Sequence, residues 1–194
     1  MFDQIAVVLS GIVDAFNNNA GAAVLGATLG AALSGLVIYL AERRKEKIAT
    51  ALRLIEEYTS PSFLDIRADA GIALRAAMKP GPKSWDDLYH SLDKVEWSKI
   101  SKMDHFYQKL DLVVSVREAH NPYIKRYFGR EFPHWYVQYF EPIIRESEKQ
   151  TDAVYFFPNL LRLMGSEIAA YREKLSKYDP TRRTGTQTQD PPAA

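Results

Sequence analysis

Residues 20–40 read AGAAVLGATLGAALSGLVIYL, an uncharged run of twenty-one residues. A helix rises about 1.5 Å per residue, so the run is about 30 Å long, the thickness of a bilayer's hydrocarbon core. Its polar side chains are Thr28, Ser34 and Tyr39. Serine and threonine hydroxyls bond back to their own helix, and a tyrosine near the end suits a membrane interface. A buried core helix is seldom this long without a charge. A cleaved signal peptide carries a basic stretch ahead of its apolar run, and here only Asp3 and Asp14 precede it as charges. The expectation is a single N-terminal transmembrane helix.

Charge gives that helix a direction. Residues 1–41 hold no Lys, Arg or Glu, and all 25 basic residues of the 194-residue chain come later. Arg43, Arg44, Lys45 and Lys47 follow the run directly. Basic flanks stay inside, so the N-terminus is expected outside a bacterial inner (plasma) membrane and the rest in the cytoplasm. The same four side chains suit anionic lipid headgroups, at about 1 kcal/mol each. Ala22, Gly26, Gly30 and Ser34 form a ridge of small residues four apart, and such ridges let two membrane helices approach closely. A homo-oligomer is expected through this face. Ahead of the run, 1–19 is read as an extracytoplasmic segment. Within it Ile5, Val8, Leu9, Ile12, Val13 and Phe16 share one helical face, which suits the outer interface.

The remainder, 41–178, is expected to be a cytoplasmic all-α bundle of about five or six helices, since no alternating strand pattern occurs. The anchor helix continues through Ile48, Ala51, Leu52, Ile55 and Tyr58. Ser60 then caps a new helix with Pro61 in its first turn, running to about Met78. Residues 79–83, KPGPK, break the chain, and Ser84 caps the helix after it. A long helix is expected over 98–120 and ends at Asn121-Pro122. A short segment over 123–128 follows, then a helix opened by Pro133 with Pro142 inside it, and a last helix over about 158–177. From Asp179 the chain reads DPTRRTGTQTQDPPAA, so 179–194 is expected to be disordered.

Chemistry is sparse. There are no cysteines, which excludes disulfides and thiolate sites. His90, His105, His120 and His134 fall at no metal-ligand spacing, and HExxH, the phosphate-cradling GxxxxGK[ST] and GxSxG are all missing. No Arg is followed by a His with four to six residues between them, the spacing of some small helical ribonucleases: Arg117 and His120 have two between them, Arg130 and His134 three, and Arg126 and His134 seven. No catalytic residue, cofactor or metal is expected. Acids and bases nearly balance after residue 41, so nucleic acid is an improbable partner. The aromatic stretch 123–140, YIKRYFGREFPHWYVQYF, is read as core, ahead of a protein-binding groove and ahead of a base-stacking surface. Arg67, Asp69 and Arg75 lie among the apolar positions of one helix, and Arg117 and Glu118 among those of another. An ion pair between the two helices is expected to order the bundle rather than to catalyse.

One resemblance arises at Tyr58-Thr59-Ser60-Pro61-Ser62-Phe63 with Arg67, after a membrane helix and a basic stop. With Val113-Val114-Ser115-Val116-Arg117 and Tyr139-Phe140-Glu141, this layout over about 25–150 resembles the bacterial DUF4760 family of membrane-anchored helical proteins. The chain departs from it in carrying a further helix and a polar tail. The resemblance implies architecture and carries over no catalytic residue. The expected function is therefore a membrane-anchored, non-enzymatic interaction or scaffold protein whose partners are membrane lipid, further copies of itself and a cytoplasmic protein. The alternative is a stress or phage-defence effector whose anchor oligomer perturbs the envelope.

Overall fold

The computed structural model describes residues 19–81, 83–149 and 156–178, giving the backbone alone for 19–23, 25 and 178. The expected interfacial segment over 2–16 and the tail from 179 lie outside the described residues. Every described regular element is helical, with no strand among the described residues. The chain divides into two units, Met1–Glu46 and Lys47–Ala194.

Helix α1 spans Asn19–Thr59 without a break, as the uninterrupted apolar period predicts. In the first unit, every side chain described from Val24 to Ala41 is exposed, including Leu29 at 56%, Leu33 at 61% and Val37 at 65%. Among the described residues no helix is long and apolar enough to cross a membrane. The described side chains of the run are continuous only over 26–41, about 24 Å of helix, before Glu42 and Arg43. The span expected over 20–40 draws also on 20–23 and 25, whose side chains are not described, so the described residues alone do not support it.

In the second unit the last turns of α1 bury Ala51, Leu54 and Tyr58. Ser60 then caps α2, Pro61–Ala77, accepting from the Phe63 N–H at 3.3 Å, with Pro61 in the first turn. Ser84 and Asp87 form a reciprocal capping box on α3, Trp85–Ser91. Asp93 and Glu96 form a second one on α4, Lys94–Ser115.

Four expectations are corrected here. Helix α4 begins four residues before 98, because Asp93 supplies its cap. It ends at Ser115 rather than 120, because Arg117 turns left-handed (φ 58°). Glu118 N–H then reaches Val113 O at 3.1 Å and Arg117 N–H reaches Val114 O at 3.2 Å, which satisfies the last carbonyls in a Schellman motif. Asn121-Pro122 starts a helix instead of only ending one, and Pro133 lies inside that helix, α5, Asn121–Trp135. Its buried stripe of Ile124, Phe128, Phe132 and Trp135 holds α5 together across the missing Pro133 N–H.

A π-helical turn, Tyr136–Phe140, joins α5 to α6, Glu141–Glu148. Pro142 would otherwise press its ring on the carbonyl of residue 138, and the wider turn relieves that contact. The expected last helix is two: α7, Pro158–Leu163, and α8, Gly165–Tyr178.

Helix α2 packs on α4, α4 on α7, and α5 on α8, with α3 against α6. Gly129 faces α8, where a Cβ would just touch Glu167 Cγ at 3.4 Å. The core is aromatic: Tyr58, Tyr107, Phe128, Phe132 and Phe140 are all fully buried, and their rings meet at centroid distances of 5.1–6.2 Å. Each ring contributes about 2–3 kcal/mol by burial. Much of the stretch 123–140 is thus core, with Ile124, Phe128, Phe132, Trp135, Tyr139 and Phe140 all buried.

Asp104 on α4 is 9% exposed. Its Oδ2 accepts from Gln108 at 2.6 Å, and its Oδ1 is buried with no partner among the described residues. Burial pushes its carboxyl up to about 6, partly opposed by His105. A carboxyl raised on folding is more stable protonated, so stability is fully present below about 4 and is lost as pH rises through about 6. Asp104→Asn should therefore flatten the fall in stability between pH 4 and pH 7 by about 2 kcal/mol, read as Tm against pH. An unchanged pH profile would contradict this.

Candidate functional site

Arg67, Gly71 and Arg75 stand four residues apart, on one side of α2. Glu131, His134, Trp135 and Gln138 line the facing wall, on α5 and the π turn. Between the two walls lies an open cleft of about 500 Å³ within the second unit.

One end of the cleft is an ordered polar cluster. Arg67 Nη2 donates to Glu131 Oε2 at 2.7 Å, and its guanidinium carbon sits 4.0 Å from the centre of the Tyr58 ring. Tyr58 donates its hydroxyl to the same Glu131 oxygen at 3.3 Å, and the Tyr107 hydroxyl lies 2.9 Å from that of Tyr58. Burial pushes both phenols up, so they stay protonated and the proton order runs from Tyr107 to Tyr58 to Glu131. Glu131 thus takes two donors and is held as an ion-pair partner. Arg67 thus pairs with α5 rather than with the helix of Arg117 and Glu118, and the ion pair that does join α2 to α4 is Asp69–Lys99. Arg117 and Glu118 lie exposed just beyond α4, and Asp69 pairs with Lys99 at 2.6 Å.

The other end is less occupied. Arg75 Nε donates to Gly71 O at 3.0 Å, and no carboxylate among the described residues lies within ion-pair distance of it. His134 Nδ1 meets the Tyr171 hydroxyl at 2.8 Å, and Gln138 Nε2 donates to that oxygen at 3.4 Å. Burial pushes the His134 imidazole down, with Arg75 and Arg67 adding to the effect and Glu131 opposing it. It is neutral at pH 7.

The residues singled out from sequence fall elsewhere. Gly26, Gly30 and Ser34 lie exposed on α1, and among the described residues no other atom lies within 4 Å over Gly26 or Gly30. Ala22 is in the same helix, its side chain outside those described. Arg43, Arg44 and Lys45 are exposed and Lys47 is half-buried. Arg43 bonds back to the Tyr39 hydroxyl at 3.1 Å. His90 and His105 are exposed, and His120 stands at the start of α5. No group of three His, Asp or Glu among the described residues could hold a metal. Sequence reading missed the cleft, although its two walls carried the signal: 67, 71 and 75 on one helix, and 131, 134 and 138 on another. No protein-family model, curated protein or solved structure matches this chain.

Proposed function

We propose that the protein is a membrane-anchored, non-enzymatic interaction or scaffold protein that self-associates through its N-terminal helix. One observation carries the reading. Over 26–41 the helix is apolar on every side and exposed on every side. A helix with no polar face needs an apolar surrounding, either a protein core or lipid. Within its own unit the described chain offers it no core, so lipid is the surrounding proposed.

Local details suit that medium. Thr28 returns its hydroxyl to Val24 O at 3.0 Å, as a hydroxyl in hydrocarbon must. Tyr39 and Arg43 pair at the end of the run, where an aromatic and a basic side chain suit the interface. Arg43, Arg44, Lys45 and Lys47 then set the N-terminus outside and the 47–178 domain in the cytoplasm, facing a protein partner there. Glu131 supports interaction over catalysis, because its carboxylate is already engaged by Arg67 and Tyr58. The DUF4760 resemblance belongs to this proposal and rests on the residues quoted for it.

Self-association follows from Ala22, Gly26, Gly30 and Ser34. Gly26→Leu with Gly30→Leu should reduce the signal of a membrane two-hybrid assay to roughly half or less. Among the described residues nothing lies within 4 Å over either glycine, so the loss would report contact between copies. An undiminished signal would overturn pairing through this face.

A further inference from the structure

We propose that the cleft between α2 and α5 binds a small soluble organic oxyanion, a carboxylate or phosphate ester on a compact planar body, with Arg75 as its main anchor. This does not rest on the membrane reading, since every residue involved lies within the second unit.

Charge sets the class of ligand. The cleft holds two guanidinium groups and one carboxylate. Arg67 and Glu131 pair their charges, which leaves the charge of Arg75 in excess. The Nε bond to Gly71 O pins the Arg75 guanidinium against the wall of α2. Its two terminal nitrogens remain as a planar fork, a shape that matches two oxygens of one carboxylate or phosphate. A metal cation would meet two guanidinium groups and is disfavoured.

His134 supplies a second, uncharged contact. The Tyr171 oxygen accepts from Gln138, so its own proton is free for His134 Nδ1. In the tautomer that takes this proton, the imidazole carries its hydrogen on Nε2, as a donor. An ordering role for the bundle accounts for Arg67 and Glu131. It does not account for an unpaired Arg75 beside a histidine aligned by two other side chains.

Gly71 makes the room. A Cβ at this position would already touch Trp135 Cη2 at 3.6 Å, so a larger side chain would close the space between the walls. About 500 Å³ falls within the range of small-molecule sites, about 300–1,000 Å³. Trp135, Tyr139 and Leu64 give the lining its apolar part, which suits a flat body behind the charged head.

The test uses the full chain in detergent, with histidine ring resonances followed by NMR. The probes are phenyl phosphate and benzoate as anions and benzamide as their uncharged counterpart. At least one anion should bind with a Kd of about 1 mM or tighter and shift the His134 resonance, with benzamide at least about tenfold weaker. Arg75→Gln should weaken the anion at least about tenfold, and Arg162→Ala, an exposed arginine outside the cleft, should leave it unchanged. Failure of both anions to bind below about 10 mM would overturn the proposal. So would equal binding of benzamide, or equal losses in the two arginine variants.

Discussion

Asp111→Ala should lower the stability of the domain by about 3 kcal/mol and its Tm by about 8 °C. Asp111 lies near the end of α4 and is 8% exposed. Its Oδ1 accepts from the backbone N–H groups of Asn159 and Leu160, both at 2.8 Å, and its Oδ2 accepts from Asn159 Nδ2 at 2.9 Å. Helix α7 starts after Phe157, which is left-handed (φ 59°) and offers no side-chain cap. Its first N–H groups would be orphaned without a partner from elsewhere, and a residue 48 positions back in sequence supplies it. Alanine removes three charge-assisted bonds and leaves the buried Leu160 N–H unpaired. Asp111→Asn keeps an acceptor for both backbone donors and should cost only about 1 kcal/mol. Thermal unfolding of the two variants in detergent checks the order. An alanine variant within about 2 °C of wild type would mean that the cap contributes little.

Leu33→Lys with Leu36→Lys should remove the chain from the membrane. Lysine at the centre of a spanning helix costs about 3 kcal/mol, so two cost about 6 kcal/mol of insertion free energy. Leu33 is 61% exposed and Leu36 52%, so neither change disturbs the buried core of the described residues. The double variant should pass from the carbonate-resistant pellet to the supernatant. Leu52→Lys is the control: Leu52 is also half exposed, but lies after the basic cluster. It should leave the pellet unchanged. A double variant that still pellets under alkaline extraction would count against the anchor.

The all-helical fold was legible wherever a local signal marks it. Ser60-Pro61 and Ser84 each cap the helix expected after them, and the continuous period across 48–58 matches one helix through Thr59. The misreadings share a cause. Helices usually end on glycine, and here Arg117 takes the left-handed position, so nothing in the composition marks the end of α4. Phe157 does the same before α7, held by its burial at 2% exposure and by the cap from Asp111. Proline misled in both directions: Pro122 is a first-turn residue of α5, whereas Pro133 is tolerated inside it. The cleft lay half in view. The spacing of Arg67, Gly71 and Arg75 places them on one face, but their meeting with Glu131, 64 positions beyond Arg67, is set by tertiary packing. Local periodicity carries no record of that meeting.

The central claim, an anchor with its N-terminus outside, is tested most directly by side-specific labelling. The chain has no cysteine, so single cysteines report without background. Asn18→Cys lies ahead of the run, and Ser176→Cys is exposed on α8. A membrane-impermeant maleimide added to intact spheroplasts should label Asn18→Cys at once and Ser176→Cys only after lysis. Labelling of Ser176→Cys in intact cells, or protection of Asn18→Cys until lysis, would contradict the account.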